Sequence, residues 1–596
     1  MSALIGIVCN RRDMRVTDAE LDELCATYES LRGPFPHTTM AAGGFARVRR
    51  LGSAPHERAV AATAPSWTLY TGTVHAPNAG GATELQDADG QFAWCAYDAP
   101  RDELVLASDP FGMQALYIAE RNDKTYFATS ALALAKHLRA RPSALGLEVF
   151  LRAGYQFGAR TIWEGIERLD PATRIVFGGQ GTRRDTYWRP SVDEDITRLD
   201  LAETVDRCRT VARETFRSYY SRAESRPWAD LTGGYDSRIS TLLLSDAGVD
   251  FVTNTIGSAE SEDVAIASEV ARTAGWDWRR FDIPATWSEL LPRLVRDAAA
   301  WGDCHLDAVQ LAEVMWGHAE KARTNCALLS GGGGEHLRNY AWQQEFLRGG
   351  HSTVVNLDNW VDMLMLKPIS TAAFANDPTP TVREDLRQRV ATAAAPYSSH
   401  LNTVQLDMMY AYKSTGHFGA YLSAARATVA VELPYYLKRV FSVAFSTSFR
   451  HRNAHRLMQH LIVALDPRLA AITTTKGGPA EPLRVGNIHR FVPYFARISR
   501  KAVTKLSEKA ISRPLLLPAP RLDATRSRAR RALVDTFDDG RPLRADTMRC
   551  ARLFKRDALE GLLSRAGDAD FSDSALLGRI LTAELALRMV DAGLDG

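Results

Sequence analysis

The sequence predicts an α/β and α+β chain of two domains: a β-rich sandwich, then a doubly wound parallel-sheet domain with helical elaboration. Three observations carry that prediction. A chain of 596 residues exceeds what one hydrophobic core fills. Short apolar runs broken by Gly, Asn and Asp dominate as far as about Arg189. Beyond that point helical periods alternate with buried, strand-like runs.

In the front half LIGIVCN, WTLYTGTVHA, FAWCAYDA, ELVLASD, ALYIA, TYFATS and TRIVFG read as strands, with ALALAKHLRA as a helix among them. The acidic, aperiodic SVDEDITRLD (Ser191 to Asp200) reads as a linker, which sets one domain over 1–195 and the other over 196–596. There follow LDLAETVDRCRTVARETFRSYYSRA (helix), PWADLTGG (strand and turn), DSRISTLLLSDAG (helix), FVTNTIG (strand) and SEDVAIASEVARTAG (helix). This alternation is that of a parallel sheet with crossover helices. From about Trp301 to Gly596 the pattern is mainly helical. The basic stretch from Arg497 to Arg544 reads as a solvated helix face or as a grip for an acidic peptide or protein.

Lys and Arg total 73 against 70 Asp and Glu, a net charge of +3 that gives no reason to invoke nucleic acid or an anionic membrane. The seven cysteines form no CxxC pair, which argues against a disulfide framework or structural zinc and for reduced core thiols. The start, MSALIGIVCNRRD, has no basic residues before its apolar run and no cleavage pattern, and no apolar run approaches the ~18 residues of a bilayer span. A cytoplasmic protein is expected, with neither membrane nor nucleic acid as a partner.

The most informative segment is LTGGYDSR, Leu231 to Arg238, between a strand and a helix expected to begin near Ser237. Two glycines let backbone N–H groups converge, Thr232 and Ser237 add hydroxyls, and the helix N-terminus adds positive potential. Such a turn can hold pyrophosphate. Asp236 makes sense there if Mg²⁺ lies between its carboxylate and phosphate oxygens. Taken alone, the same spelling also serves as a plain turn. It resembles the SGGxDS loop of ATP pyrophosphatases, with Thr232 for the first Ser, and is not a P-loop, because no Gly-Lys-Ser/Thr follows.

Downstream, LLSGGGGEHLRNY (Leu328 to Tyr340) resembles the LSGEGADELFGGY segment of asparagine synthetases. The register puts Glu335 at that family's second magnesium ligand, His336 where a neighbouring Glu is usual, and Gly332 where an earlier glutamate stands. TIGSAESEDVAIASEVARTAG is similar to the family's next strand and helix, with backbone at Ile256 and Gly257 bordering the adenine. Glu262 and Asp263 occupy its acidic pair, or are ordinary first-turn helix charges. AITTTKGGPAEP (Ala471 to Pro482) resembles the segment whose lysine stabilises charge on the α-phosphate, which falls on Lys476 here; the alternative is a loop lysine. ATVAVELPYYLKR keeps only Pro434 and an aromatic, Tyr435, of the family's EARVPFLD.

The resemblance therefore implies ATP and Mg²⁺ as cofactors. It implies nucleotide contacts from Leu231, Thr232, Gly233, Gly234, Asp236, Ser237, Ile256, Gly257, Ser330 and Gly331, metal ligation by Asp236 and Glu335, and catalysis by Lys476 and Asp236. For the base that deprotonates the amine, Tyr340, Tyr412, His417 and Glu432 qualify by residue type only.

DGQFAWCAYDAPRDELVLASDPFGMQALYIA (Asp89 to Ala119) and YFATSALAL follow the glutaminase domain of the same family. The implied folds are an Ntn-hydrolase-like sandwich and an ATP-pyrophosphatase (adenine nucleotide α hydrolase-like) domain. Working glutaminases carry Cys after the initiator Met, whose amine activates the thiol. This chain has Ser2 there, RGPF with Phe35 for RGPD, and TGTVHA around Thr73 for NGEIYN, which together imply an inactive glutaminase. The amine then comes on the substrate, as in the relatives with this loss, the lasso-peptide macrolactam cyclases and the β-lactam synthetases. The expected substrate is a peptide or small molecule carrying carboxylate and amine, joined through an acyl-adenylate, with a protease or leader-peptide-binding partner. Intramolecular attack supplies a large effective molarity, and the helical C-terminal extension favours a peptide. The rivals are a small-molecule amide synthetase, a synthetase fold serving as a scaffold, and a glutamine-dependent enzyme in which Ser2 works.

Overall fold

A computed structural model describes residues 2–52, 61–63, 65–75, 84–220, 226–325, 327–342, 349–366, 369–500, 524–537 and 540–594. Cys326 and positions 501–523 and 538–539 of the basic stretch lie outside the described residues.

In the front half β1 (Ser2–Cys9), β2 (His37–Ala42), β3 (Ala46–Gly52), β4 (Ala61–Thr63), β5 (Ser66–His75), β6 (Asp89–Asp98), β7 (Glu103–Ser108), β8 (Tyr117–Arg121), β9 (Lys124–Ala128), β10 (Ile166–Arg168), β11 (Thr173–Gly178) and β12 (Gly181–Thr186) form two six-stranded sheets. Their orders are β10-β8-β9-β1-β3-β2 and β12-β11-β7-β6-β5-β4, and the pairings are antiparallel. β1 is buried from Ala3 to Cys9, because it packs against β5 of the other sheet and against the helix Asp18–Arg32, while the helix Ala131–Leu138 covers the neighbouring β8, β9 and β10. This is the layering of an Ntn-hydrolase-like sandwich.

All seven strand readings fall on observed strands. The missed ones are hairpin partners and edges. β12 (GTRRDT) is exposed throughout and β2 (HTTMAA) is mostly so, so neither carries an alternating apolar signal. The β8–β9 hairpin turns on Asn122 and Asp123, both at positive φ (53° and 57°), a conformation these two residue types tolerate. Within the expected linker Glu194–Arg198 is a short helix, capped by the Asp193 carboxylate and tied down where the Asp193 N–H donates to Ser446 Oγ at 2.9 Å. Its acidic residues serve helix initiation, which composition alone reads as loop.

The third sheet is parallel: β13 (Trp228–Asp230), β14 (Val252–Ile256), β15 (Trp278–Phe281), β16 (Ala327–Leu329) and β17 (Ala430–Glu432), in the order β15-β14-β13-β16-β17. The strands alternate. Ala229 and Leu329 join the core under the helices Leu201–Tyr220, Tyr235–Asp246 and Arg456–Leu465, while Trp228, Val252, Leu328 and Val431 face the opposite core, which Phe111 and Met113 of the front half enter. The order reverses between β13 and β16, so the crevice beyond their carboxyl ends is where a doubly wound sheet holds a ligand.

The two halves are joined by buried polar contacts. Gln91 on β6 donates to the Leu433 carbonyl and accepts from the Leu433 N–H, each at 3.0 Å. Arg32 pairs with Asp303 at 3.0 Å, both buried, and Ser130 Oγ donates to the same carboxylate at 2.6 Å. The helix Ser574–Val590 is buried over nearly its whole length and packs against Ala131–Leu138 and Ala144–Ala153 of the front half. Among the described residues no helix is long and apolar enough to cross a membrane, and the described cysteines, Cys9, Cys25, Cys95, Cys208, Cys304 and Cys550, are buried free thiols.

Candidate functional site

The loop after β13 and the loop after β16 meet at the point of strand reversal. In the first, the Thr232 N–H donates to Ser237 Oγ at 3.0 Å and the two hydroxyls lie 2.9 Å apart, which sets the turn before any ligand arrives. The helix begins at Tyr235, two residues ahead of expectation. Gly234 stands at its N-cap and offers no side chain to the first-turn N–H groups, so their positive potential faces outward. Leu231 is buried, its N–H bonded to the Asn254 carbonyl of the neighbouring strand.

The second loop needs glycine to come this close. A Cβ on Gly331 would sit 2.9 Å from Ser237 Cα, and one on Gly334 would sit 2.7 Å from Asp236 Cβ. The glycine run thus lays its backbone against the first turn of the helix Tyr235–Asp246 and carries Glu335 to Asp236. Ser330 is held by its N–H to the Glu432 carbonyl at 2.9 Å. Asp236 Oδ2 accepts from Arg338 at 3.2 Å, and the same guanidinium lies 3.6 Å from Glu335 Oε1. Asp236 Oδ1 and Glu335 Oε2 are buried and have no hydrogen-bond partner. Burial first, then the charge of Asp236, raise the Glu335 pKa, against the pull of Arg338.

Lys476 stands on a tight turn in which the Thr474 N–H and hydroxyl both donate to the Gly478 carbonyl, at 2.8 and 2.9 Å, and Gly477 takes φ 95°. The turn is fastened to the first loop, since the Thr475 N–H donates to the Gly233 carbonyl at 3.0 Å. Arg238 fastens it again: the buried guanidinium donates to the carbonyls of Leu469, Ile472 and Thr473. Ile256 and Gly257 lie at the carboxyl end of β14, beside the same crevice; Ile256 packs over Gly317, and the Gly257 N–H is bonded to the Phe281 carbonyl.

Sequence reasoning passed over two residues and gave a third no role. Arg338 gave a signal, a cation three residues beyond Glu335 in the quoted segment. His455 gave none: its ring stacks on Tyr235 at 5.2 Å, and its pKa is held to about 4 by burial and then by Arg338 and Lys476. His455 and Ala454 both take positive φ (63° and 49°), strain of the kind that collects at functional sites. Tyr435, kept in sequence only as an aromatic, donates its hydroxyl to the Asp236 carbonyl at 2.9 Å.

Other residues fall elsewhere. His336 turns into the aromatic packing of Tyr410, Tyr436 and Phe441, and burial holds its pKa to about 3, so it stands as a neutral core imidazole. Asp263 accepts the Gly233 N–H at 2.9 Å, and Glu262 pairs with Arg497 at 2.7 Å. Of the base candidates, Tyr340 packs on Arg338 beside Glu335. Tyr412 donates to Asp170, Glu432 bonds His75 at 2.7 Å, and His417 packs on Tyr155 and Phe418. Among the described residues no three His, Cys, Asp or Glu side chains group as a metal-binding set. Asp236 and Glu335 are a pair, and a pair suffices for Mg²⁺, which takes its remaining ligands from water and phosphate oxygens.

In the front half, Ser2 Oγ lies 2.5 Å from Thr71 Oγ1, and Phe35 packs edge-on against Tyr28 and Trp301. Residues 73–188, from the end of β5 to the end of β12, match the family described as a glutamine amidotransferase domain. That segment is therefore similar to a glutamine amidotransferase domain. Ser2 and Phe35 lie outside the matched residues. No curated protein matches the chain. Solved structures similar to part of it include a glutamine phosphoribosylpyrophosphate amidotransferase from B. subtilis complexed with ADP and GMP, at 9% identity over 47% of this chain and 65% of that one, TM-score 0.22. Another, described as the allosteric regulatory enzyme of purine biosynthesis, is 10% identical over 47% of this chain and 64% of that one, TM-score 0.22. The chain thus spans just under two thirds of each, and superpositions at that score define neither fold nor activity.

Proposed function

We propose that this protein forms amide bonds by activating a carboxylate with ATP and Mg²⁺ as an acyl-adenylate and passing the acyl group to an amine. The observation that carries the reading is the pair of buried, unpartnered oxygens, Asp236 Oδ1 and Glu335 Oε2, at the reversal point of the parallel sheet. Two carboxylates held together at the cost of mutual repulsion fit a divalent cation. Bound there, Mg²⁺ neutralises phosphate charge. Arg338 fixes the Asp236 carboxylate, the uncapped N-terminus at Gly234 and the Thr232–Ser237 hydroxyl pair face the pyrophosphate, and Lys476 stabilises charge at the phosphate under attack. The amidotransferase domain supports amide formation in general.

The substrate in this reading is a peptide whose N-terminal amine is joined to an Asp or Glu side chain, as in macrolactam formation. Ser2 replaces the glutaminase nucleophile and Phe35 sits in aromatic packing where the family places its glutamine-holding carboxylate, so the amine is supplied by the substrate. The rival of a synthetase fold without chemistry draws on Asp263, which already occupies the Gly233 N–H, and on the burial of His336.

ATP–pyrophosphate exchange with Mg²⁺ decides between them. It is to be run against small amino acids and linear peptides bearing internal Asp or Glu, with product masses recorded. Exchange with loss of one water from a peptide is the expected result. Exchange with small amino acids alone would move the assignment to a small-molecule synthetase, and no exchange with no ATP binding would leave a scaffold. Ser2→Ala should leave synthesis intact; loss of product there would restore glutamine hydrolysis.

A further inference from the structure

Beyond the Lys476 turn the chain presents an apolar stripe to solvent. Of the ten exposed large apolar side chains among the described residues, six fall between 483 and 498: Leu483, Val485, Ile488, Val492, Phe495 and Ile498, with Val485 at 94% and Val492 at 62%. From Val485 onward they recur every three or four residues. That spacing sets them along one face of the helical stretch formed by the 3-10 turn Val485–Phe491 and the helix over 492–500. Isolated apolar side chains on a surface need no explanation, whereas a contiguous row marks a binding surface.

The stretch is fastened to the candidate site. Phe491 is buried against Gly478, the backbone at Pro493 and Tyr494 lies on Gly477, and Arg497 donates to the Thr475 carbonyl while pairing with Glu262. The flanks are basic. Residues 482–500 hold Arg484, His489, Arg490, Arg497 and Arg500 and no carboxylate. Arg490 pairs with Glu481 and Arg497 with Glu262, both carboxylates lying outside the stretch.

We propose that this stripe is the docking face for the peptide substrate, through a segment apart from the reacting carboxylate and amine that carries apolar side chains flanked by Asp or Glu. The proposal rests on the reading above that the substrate is a peptide. A basic amphipathic helix also suits an anionic lipid surface. Attachment to the turn bearing Lys476 favours the peptide, because holding one segment of the substrate there raises the effective concentration of its reacting groups at the site.

The test is binding, measured by fluorescence anisotropy on the full chain. The probes are a labelled helical peptide with leucines on one face and glutamates elsewhere, its lysine counterpart, and phosphatidylcholine–phosphatidylglycerol vesicles. The acidic peptide should bind wild type and weaken with salt, and Val485→Ser combined with Val492→Ser should weaken it at least about tenfold. Both sites are exposed, so the double variant should keep the wild-type melting profile. Asp236→Ala should bind as wild type does. Equal binding by the double variant, equal binding of the lysine peptide, or preferential vesicle binding through the two valines would overturn the docking face. Failure of pyrophosphate exchange with selective peptide binding retained would instead count against the acyl-adenylate reading.

Discussion

Asp236 and Glu335 are placed by glycines, and the consequence can be read in stability as well as in activity. The raised pKa of Glu335 means that the folded state holds its proton where the unfolded chain has released it. The stability it contributes is therefore full below the unfolded value and is lost as pH rises through the folded one. Glu335→Gln should flatten that part of the pH–stability profile and raise the melting temperature at neutral pH by roughly one or two degrees. In the proposed reaction MgATP should raise the wild-type melting temperature further, and Glu335→Gln should abolish that rise. A variant no more stable than wild type at pH 7 would show that the two carboxylates do not repel. In the proposed reaction Lys476 makes a different demand, because its charge acts on the transition state more than on binding. Lys476→Met should slow pyrophosphate exchange roughly 10²–10³-fold while ATP affinity changes by less than about tenfold. Equal losses in both would make it a binding residue.

At the scale of elements, the geometry of the candidate site depends on one buried arginine. Arg238 leaves the helix Tyr235–Asp246 and satisfies three carbonyls of the segment that leads into the Lys476 turn. Arg238→Met keeps much of the side-chain volume but strands those carbonyls, at about 1–3 kcal/mol each where they stay buried. We expect a destabilisation of at least about 3 kcal/mol by denaturant titration and new proteolytic cuts between 471 and 482. Wild-type stability with unchanged digestion would mean that water replaces the guanidinium. None of this coupling was legible in the motif, where Arg238 reads as the residue after the loop. The strands that escaped sequence reading, β2 and β12, escaped for a related reason: they are specified by hydrogen bonds to a neighbour and carry no apolar period of their own.

Across the whole molecule the front half acts as a wall of the second core. Phe111 and Met113 enter the apolar layer under the parallel sheet, Gln91 pairs with Leu433 just beyond β17, and the helix Ser574–Val590 lies on helices of the front half. Residues 196–596 expressed alone should aggregate or elute as large oligomers in size-exclusion chromatography, because that helix would expose a continuous apolar surface. A monodisperse monomer would show two independent units. The order of strands and helices, the glycine loops and the reduced cysteines were written in local sequence, since each rests on short-range periodicity or backbone permissiveness. Glu335 could be named from register alone, and Arg338 could have been. Tertiary structure alone decided that His336 is core and that Tyr412 serves Asp170. It likewise decided that His455 lies within reach of the charges of Arg338 and Lys476, and that the basic segment after Lys476 turns its valines outward. Those outcomes depend on which distant surfaces meet, and neither periodicity nor spacing along one chain encodes that.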